Sequence, residues 1–444
     1  MVRRYRKLNS VVVAHLVLLV AARVNAQDWP NWRGPNGTGS VSNTHGNQRA
    51  PVTWGAEKNI AWRAELVGRG HSTPVVSGPY VFVTSAVSIG KPLPPHMSGR
   101  PGEHDNLPVT SEMQFVVICI SRENGRIIWQ KVVHQAIPVE GAHVSASLAS
   151  HSPVVDQNHV YAMFGSHGLY CLDFQGELIW EKQFGQMHSK HGHGEGASPA
   201  IDGNTLVVNW DHEEQSFIVA LDKRTGNEIW RRDRDEVTSW SSPIIVNVDG
   251  QLQVIVCGTN RVRGYELETG DVLWECGGLS SNIVASPVYD AQTGILVVGS
   301  SYEIRFMAAL RLPGASGDIS GTERVLWSRT RGTPYVPSFL MVNDGVYFLA
   351  HYQNILTRVR ITDGREEPGP MRLGALGNIY ASPVSDGIHV YITDLHGVTQ
   401  VITADESPKA VSVNELGENV CASLAMADGS IFIRGEKHLF KVSE

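Results

Sequence analysis

A short unit recurs along this chain, and its spacing restricts the fold more than any other feature. It opens with Ser, then Pro, then an apolar and usually β-branched pair. The copies are Ser72-Thr73-Pro74-Val75-Val76, Ser152-Pro153-Val154-Val155, Ser198-Pro199-Ala200-Ile201, Ser242-Pro243-Ile244-Ile245, Ser286-Pro287-Val288 and Ser382-Pro383-Val384. Two degenerate copies, Ser338-Phe339-Leu340 and Ser423-Leu424-Ala425, complete the series. At the Pro position or its equivalent, successive copies lie 79, 46, 44, 44, 52, 44 and 41 residues apart. A period of about 40–50 residues, with four strands per unit, is the signature of a β-propeller.

Each unit reads as four short strands separated by turn residues. In the third, Ser198 to Ile201, Thr205 to Asn209, Phe217 to Leu221 and Asn227 to Arg231 are strand-like, and Trp230 lies in the last. The same aromatic recurs as Trp129, Trp180, Trp274 and Trp327. A Gly turn precedes it at Asn124-Gly125, Gln175-Gly176, Thr225-Gly226 and Thr269-Gly270, where Gly supplies the positive φ of a tight turn. The last unit ends one strand short. Asn59 to Ala64, with Trp62 in the usual place, can supply the missing strand and seal the ring. The reading is an all-β, eight-bladed β-propeller with four antiparallel strands per blade and the last blade completed by an N-terminal strand. Seven blades stay open if one degenerate anchor is not a blade.

Two stretches break the period. Val87 to Met113, rich in Pro and Gly, reads as a long loop of the first blade, and Arg311 to Arg324 as a shorter excursion in the fifth. Each is either a functional loop or a tolerated surface insertion.

Ahead of the repeats, Arg3, Arg4, Arg6 and Lys7 precede an apolar run from Val11 to Ala22 and then Val24-Asn25-Ala26. That is the pattern of a secretory signal peptide, cleaved after Ala26. The expected organisation is a signal peptide over 1–26, an N-terminal extension over 27–58 and a propeller over 59–444. The run is too short for a good membrane span, and no Cys near the cleavage point offers a lipid anchor. A periplasmic or secreted protein without a stable membrane anchor is expected. The formal charge is −7, and loss of the leader's basic residues takes the mature chain to about −12, which argues against nucleic acid as a partner. The five cysteines leave at least one unpaired and match no zinc spacing; Cys119 and Cys171 sit in apolar strands.

In a propeller the innermost strand of each blade lines the axis, so the segment before each anchor lies at one mouth of the channel. These segments carry Arg69, His71, His143, His151, Trp240, Asn282, Arg331, Tyr335 and Tyr380. Either these residues form a ligand pocket, or the rim is polar and solvated. The densest cluster is His188-Ser189-Lys190-His191-Gly192-His193-Gly194-Glu195. His188, His191, His193 and Glu195 are candidate ligands for a transition metal, set against a plain Gly-rich polar loop. No Gly-x-Ser-x-Gly, His-Glu-x-x-His or phosphate-loop pattern occurs.

The Ser-Pro anchors, with Ala220-Leu221-Asp222-Lys223-Arg224-Thr225-Gly226-Asn227-Glu228-Ile229-Trp230, resemble the bacterial PQQ-repeat-like propellers. That group includes quinoprotein dehydrogenases and the assembly lipoprotein of the outer-membrane β-barrel machinery. Asp28-Trp29-Pro30-Asn31-Trp32-Arg33-Gly34-Pro35 is similar to the opening of secreted propellers from planctomycete-type bacteria. The resemblance implies the fold over nearly all of the mature chain; the repeat itself is structural. Two functions follow from it. One is a binding or scaffold propeller for a protein or saccharide partner. The other is a dehydrogenase using PQQ and calcium on an alcohol or sugar, with Trp240 as stacking platform, Asp211 or Asp235 as carboxylate and Asn282 as amide ligand. The vicinal Cys pair common in such alcohol dehydrogenases is missing. A metal-binding propeller using the His-rich loop is the third reading.

Overall fold

The computed structural model describes residues 28–41, 49–56, 58–350, 353–367 and 369–444. The expected leader lies outside them. Eight antiparallel sheets succeed one another along the chain and form an eight-bladed β-propeller. Blade 1 spans Val75 to Ala136, blade 2 Val154 to Lys182, blade 3 Ala200 to Arg234 and blade 4 Ile244 to Gly277. Blades 5, 6 and 7 span Val288–Arg329, Leu340–Arg372 and Val384–Glu415. Blade 8 has three strands between Ala425 and Val442, and its fourth is Ile60–Glu65, paired antiparallel from Ile60 opposite Val442 to Glu65 opposite His438. Both degenerate anchors therefore open real blades.

The recurring Ser has a physical role. The backbone N–H at each anchor donates to the Ser hydroxyl of the next: Thr73 to Ser152, Ser152 to Ser198, Ser198 to Ser242, and so on through Ser286, Ser338, Ser382 and Ser423, every bond 2.9 Å. These groups are buried, so each donor needs its acceptor. At the eighth joint the pattern changes. The Thr73 hydroxyl has no partner, and the buried Arg434 guanidinium of blade 8 instead donates to Ser72 Oγ (2.7 Å) and Ser85 Oγ (2.8 Å) of blade 1. Ser242→Ala should strand the Ser198 N–H and cost about 1–3 kcal/mol in urea unfolding. A change below about 0.5 kcal/mol would mean that the joint does not depend on this hydroxyl.

The apolar core lies between blades rather than within one body: one cluster packs blades 2 and 3, another blades 6 and 7. The recurring Trp seals the outer rim. Trp180 covers Gly226, where a Cβ would come within 2.7 Å of the indole, and its Nε1 donates to Lys223 O at 2.9 Å. Trp62, Trp129, Trp230 and Trp327 repeat this on the following blade. Trp274 departs, donating to Gln253 Oε1 of its own blade. There Gly317–Asp318, from the excursion of blade 5, pairs parallel with Trp274 and Glu275 as a fifth strand of blade 4. In blade 7, which has no such Trp, Trp54 stacks on Tyr391.

The stretch 87–113 is only partly a loop. Tyr80–Ile89 and Glu112–Ser121 form a long hairpin with Ile89 opposite Glu112, because alternating apolar and polar residues continue the ladder past the core. The loop proper, 90–111, folds back so that Asn106–Leu107 pairs with Ala142–His143.

Residues 28–41 run across the ring. Trp29 exchanges two backbone bonds with Val76 of blade 1, and Pro30 O accepts from Val155 of blade 2. Thr38 O accepts from Met341 of blade 6, and Gly39 O from Ser385 of blade 7. The buried Arg33 guanidinium donates to Phe339 O and Pro383 O, both at 2.8 Å. The segment thus occupies edges that the innermost strands would leave unpaired.

Candidate functional site

The axial channel is divided. A cavity of about 590 Å³ opens on the face that carries the segments preceding the anchors, and one of about 960 Å³ opens on the other. Trp32 borders both, so the N-terminal segment stands between the two cavities. This gives the first mouth a floor and makes it a concave pocket of ligand size.

Aromatic rings and uncharged polar groups dominate its wall. Trp240 is held by its Nε1 on Gly194 O (2.7 Å) and its backbone N–H on Ile283 O (2.7 Å). Tyr302 and Tyr335 stack with centres 6.1 Å apart and planes 13° from parallel. Tyr380 and Trp32 also line the pocket. Asn282 is buried, and its Oδ1 has no hydrogen-bond partner. An orphaned buried acceptor is costly unless a ligand or water satisfies it. Among the described residues, Asp105 and Glu195 are the acidic side chains of the lining, and no Lys or Arg borders it.

Imidazoles gather on one side. His104, from the loop of blade 1, joins His143, His191 and His193 there, and His71 lies at the same mouth. Burial, and then Arg69 and Arg434, push the His71 pKa down to about 3. Burial, and then the neighbouring imidazoles, take His193 to about 4, and burial also lowers His143. These three rings are therefore neutral at pH 7. Glu195 accepts from Ser166 N (2.7 Å) and Ser166 Oγ (2.5 Å), and burial, reinforced by Glu140, lifts its carboxyl to about 7.

Of the residues expected at the mouth, His71, His143, Trp240, Asn282, Tyr335 and Tyr380 line the pocket. Three do not. His151 lies behind the wall, beside a cavity of about 20 Å³ with Glu140 and His167, and burial takes its pKa to about 4. Arg69 turns to Val144 O (2.7 Å). Arg331 sits by the outer strand of blade 5 with Trp327 and Asp363. Asp211 is buried in an ion pair with Arg234 (2.7 Å), and Asp235 pairs with Arg263 (2.6 Å); neither reaches the mouth.

The four expected metal ligands separate. His191 and His193 face the pocket, with ring centres 5.4 Å apart. The His188 ring points to Glu140 (3.6 Å) and Glu214 (3.8 Å), and both carboxylate oxygens of Glu195 are taken by Ser166. Among the described residues, no group of three or more His, Cys, Asp or Glu side chains is placed so that it could hold a metal ion. Sequence reading missed Trp32, His104, Asp105 and Tyr302, none of which follows the repeat. All five cysteines are free thiols.

Fold and site together define an eight-bladed propeller with a floored axial pocket. The model of a family described as outer membrane protein assembly factor BamB matches residues 113–367. The match covers more than half of the chain, and the protein belongs to that family of PQQ-repeat propellers. Among solved structures it is similar to BamB from Moraxella catarrhalis, at 12% identity and TM-score 0.53, covering 82% of this chain and 98% of that one. The quinohemoprotein alcohol dehydrogenase ADHIIG from Pseudomonas putida HK5 is similar at 11% identity and TM-score 0.57, covering 94% and 80%. The computationally designed Ika8 protein matches at 13% identity and TM-score 0.57, covering 87% and 100%. These likenesses show the fold alone. No curated protein sequence matches the chain. Among the described residues no helix is long and apolar enough to cross a membrane.

Proposed function

We propose that this protein is a binding propeller of the periplasm or cell exterior that holds a saccharide, free or carried by a partner, in the floored axial pocket. One observation carries the reading: the wall combines aromatic rings with neutral imidazoles and the orphaned Asn282 Oδ1, and among the described residues it has no Lys or Arg. Sugars present C–H faces to aromatic rings and hydroxyls to uncharged donors and acceptors, so such a wall suits a neutral, hydroxyl-rich ligand. The expected leader over 1–26 supports the location. Family membership supports a protein partner as bearer of the sugar.

The quinone fits poorly. PQQ carries three carboxylates, and among the described residues the wall offers them no Lys or Arg, only the Asp105 carboxylate and the Glu195 carboxyl that burial lifts to about 7. The nearby Lys190 is committed to Ser281 (3.3 Å) and Glu303 (3.6 Å). Calcium takes about six to eight oxygen ligands, and with both oxygens of Glu195 held by Ser166 the charged or amide donors left on the wall are Asp105 and Asn282 Oδ1, with Asn378 beside them. No reaction step is therefore drawn through the quinone.

Calorimetric titration of the mature protein with neutral oligosaccharides tests the reading, with PQQ plus calcium as the contrasting ligand. Binding of at least one oligosaccharide, weakened about tenfold or more by Trp240→Ala, is expected. Failure of every neutral sugar, or a response to PQQ plus calcium alone, would reject it.

A further inference from the structure

We infer that the larger cavity of the channel, about 960 Å³, receives an extended, cationic segment of a protein partner, which adds as a strand to the inner edge of blade 4. This cavity opens on the face away from the imidazoles, so the inference is independent of the saccharide reading.

The N-terminal segment shows how such an edge is used. It bonds to the backbone of Val76, Val155, Met341 and Ser385, in each case the second residue after the anchor Pro or its equivalent. Blades 3, 4 and 5 carry Ile201, Ile245 and Tyr289 at that position. Between Pro30 on blade 2 and Thr38 on blade 6 the segment crosses the axis. Among the described residues no backbone bond joins it to those three. Trp32, Pro35 and Gly37 of the segment stand on one side of the cavity, and the inner strands of blades 3, 4 and 5 stand on the other.

Blade 4 offers the longest edge. Its inner strand, Ile244–Val248, has five residues, against two or three in the seven other blades. It lies at the edge of its sheet, with Val248 opposite Gln251 across the turn Asp249-Gly250. A two-residue turn closes on a hydrogen-bonded pair, and bonding alternates along an antiparallel ladder. Val248, Val246 and Ile244 therefore spend their backbone groups on the partner strand, while Ile245 and Asn247 point theirs into the channel. The Tyr289 hydroxyl, 3.5 Å from Asn247 O, lies in that direction.

Side chains agree. Apart from Ser77, the inner-strand residues of blades 1, 2, 6, 7 and 8 are buried. Ala200, Ile201, Ile244, Ile245 and Val246 are only half-buried, and an added strand would cover them. Main-chain bonds to Ile245 and Asn247 would supply affinity, and these apolar flanks would select the alternate side chains of the guest.

Charge fixes the chemistry of that guest. At or beside the first turns of blades 3 to 6 stand Asp202, Asp249, Asp290 and Asp344. Asp344 pairs with Arg358 (2.6 Å), and among the described residues the other three have no ion-pair partner. Arg33 is the one basic residue of the described lining, and it is buried against the anchors of blades 6 and 7. Lys or Arg on either side of the guest strand would meet the carboxylates at the mouth.

The test uses the mature protein and capped heptapeptides Lys-X-Thr-X-Thr-X-Lys, with X drawn from Val, Ile, Leu and Tyr, read by fluorescence polarisation at low salt. At least one should bind with a Kd of about 100 µM or tighter, and its Glu-ended counterpart about tenfold more weakly. N-methylation of alternate amides should abolish binding in one register and spare it in the other, since one edge of an added strand faces blade 4. Ile245→Pro removes a channel-facing N–H and leaves the ladder of blade 4 intact, so it should weaken binding about tenfold or more with the thermal midpoint kept. The double variant Asp202→Asn with Asp290→Asn, both near turns, tests the charge without touching the backbone and should weaken binding about threefold or more. Trp240→Ala, in the other cavity, should leave it unchanged. No peptide binding tighter than about 1 mM, a preference for Glu ends, or indifference to N-methylation in both registers would overturn the inference. So would a dimer in solution that ignores every peptide, because a second copy would then own the edge.

Discussion

Removal of residues 27–41 is expected to lower the midpoint of thermal unfolding by roughly 10 °C or more and to open the pocket into a through-channel. Trp29 is wholly buried, and Trp-to-Ala changes in such sites cost about 3–5 kcal/mol. Arg33 adds two charge-assisted bonds to the carbonyls of Phe339 and Pro383, each worth about 1.5–3 kcal/mol. The segment also satisfies backbone groups on blades 1, 2, 6 and 7. Differential scanning fluorimetry gives the midpoint, and titration with the pocket ligand tests the floor. A truncated ring as stable as the full chain would mean that the segment rests on the ring without bracing it.

Trp62→Ala is expected to cost about 3–5 kcal/mol in chemical unfolding, more than any exposed outer-strand substitution. Trp62 is in the strand that completes blade 8, yet its indole lies on Gly125 of blade 1 and donates to Arg122 O at 3.2 Å. It joins the two ends of the ring at the one joint where the Ser-to-Ser bond is missing. Val411→Ala, on the exposed outer strand of blade 7, is the control and should stay within about 0.5 kcal/mol. Equal effects of the two substitutions would deny the closure its special weight.

The blades were legible in the sequence because the element that repeats is the one under physical demand. At Ser338-Phe339 and Ser423-Leu424 the Pro is lost and the Ser kept, since the hydroxyl is the acceptor for the preceding blade. Outer-strand Trp and turn Gly were equally readable, because one cannot change without the other. Location of the pocket followed from the same periodicity, which puts each pre-anchor segment at one mouth. His71, His143, Trp240, Asn282, Tyr335 and Tyr380 followed with it, and three other side chains did not. His151 and Arg331 lie in those segments but point behind the wall and to the outer rim. The backbone at His191 is left-handed, with φ of 60°, so the alternation of an extended strand does not govern which way its neighbours face. His104 and Trp32 come from segments outside the repeat, and no spacing within a blade could have placed them.

A ring that borrows its final strand from its beginning also has a schedule. Ile60 finds Val442 only after the whole propeller lies between them, so the last joint is the contact of highest sequence separation. Contacts of that kind form late and slow folding. Until then the Ile60–Glu65 strand and the open side of blade 8 present unpaired edges. A chain made from its N-terminus onward would pass through this state with the first strand free. Refolding at high concentration should therefore yield exchanged rings, in which the opening strand of one copy completes the eighth blade of another.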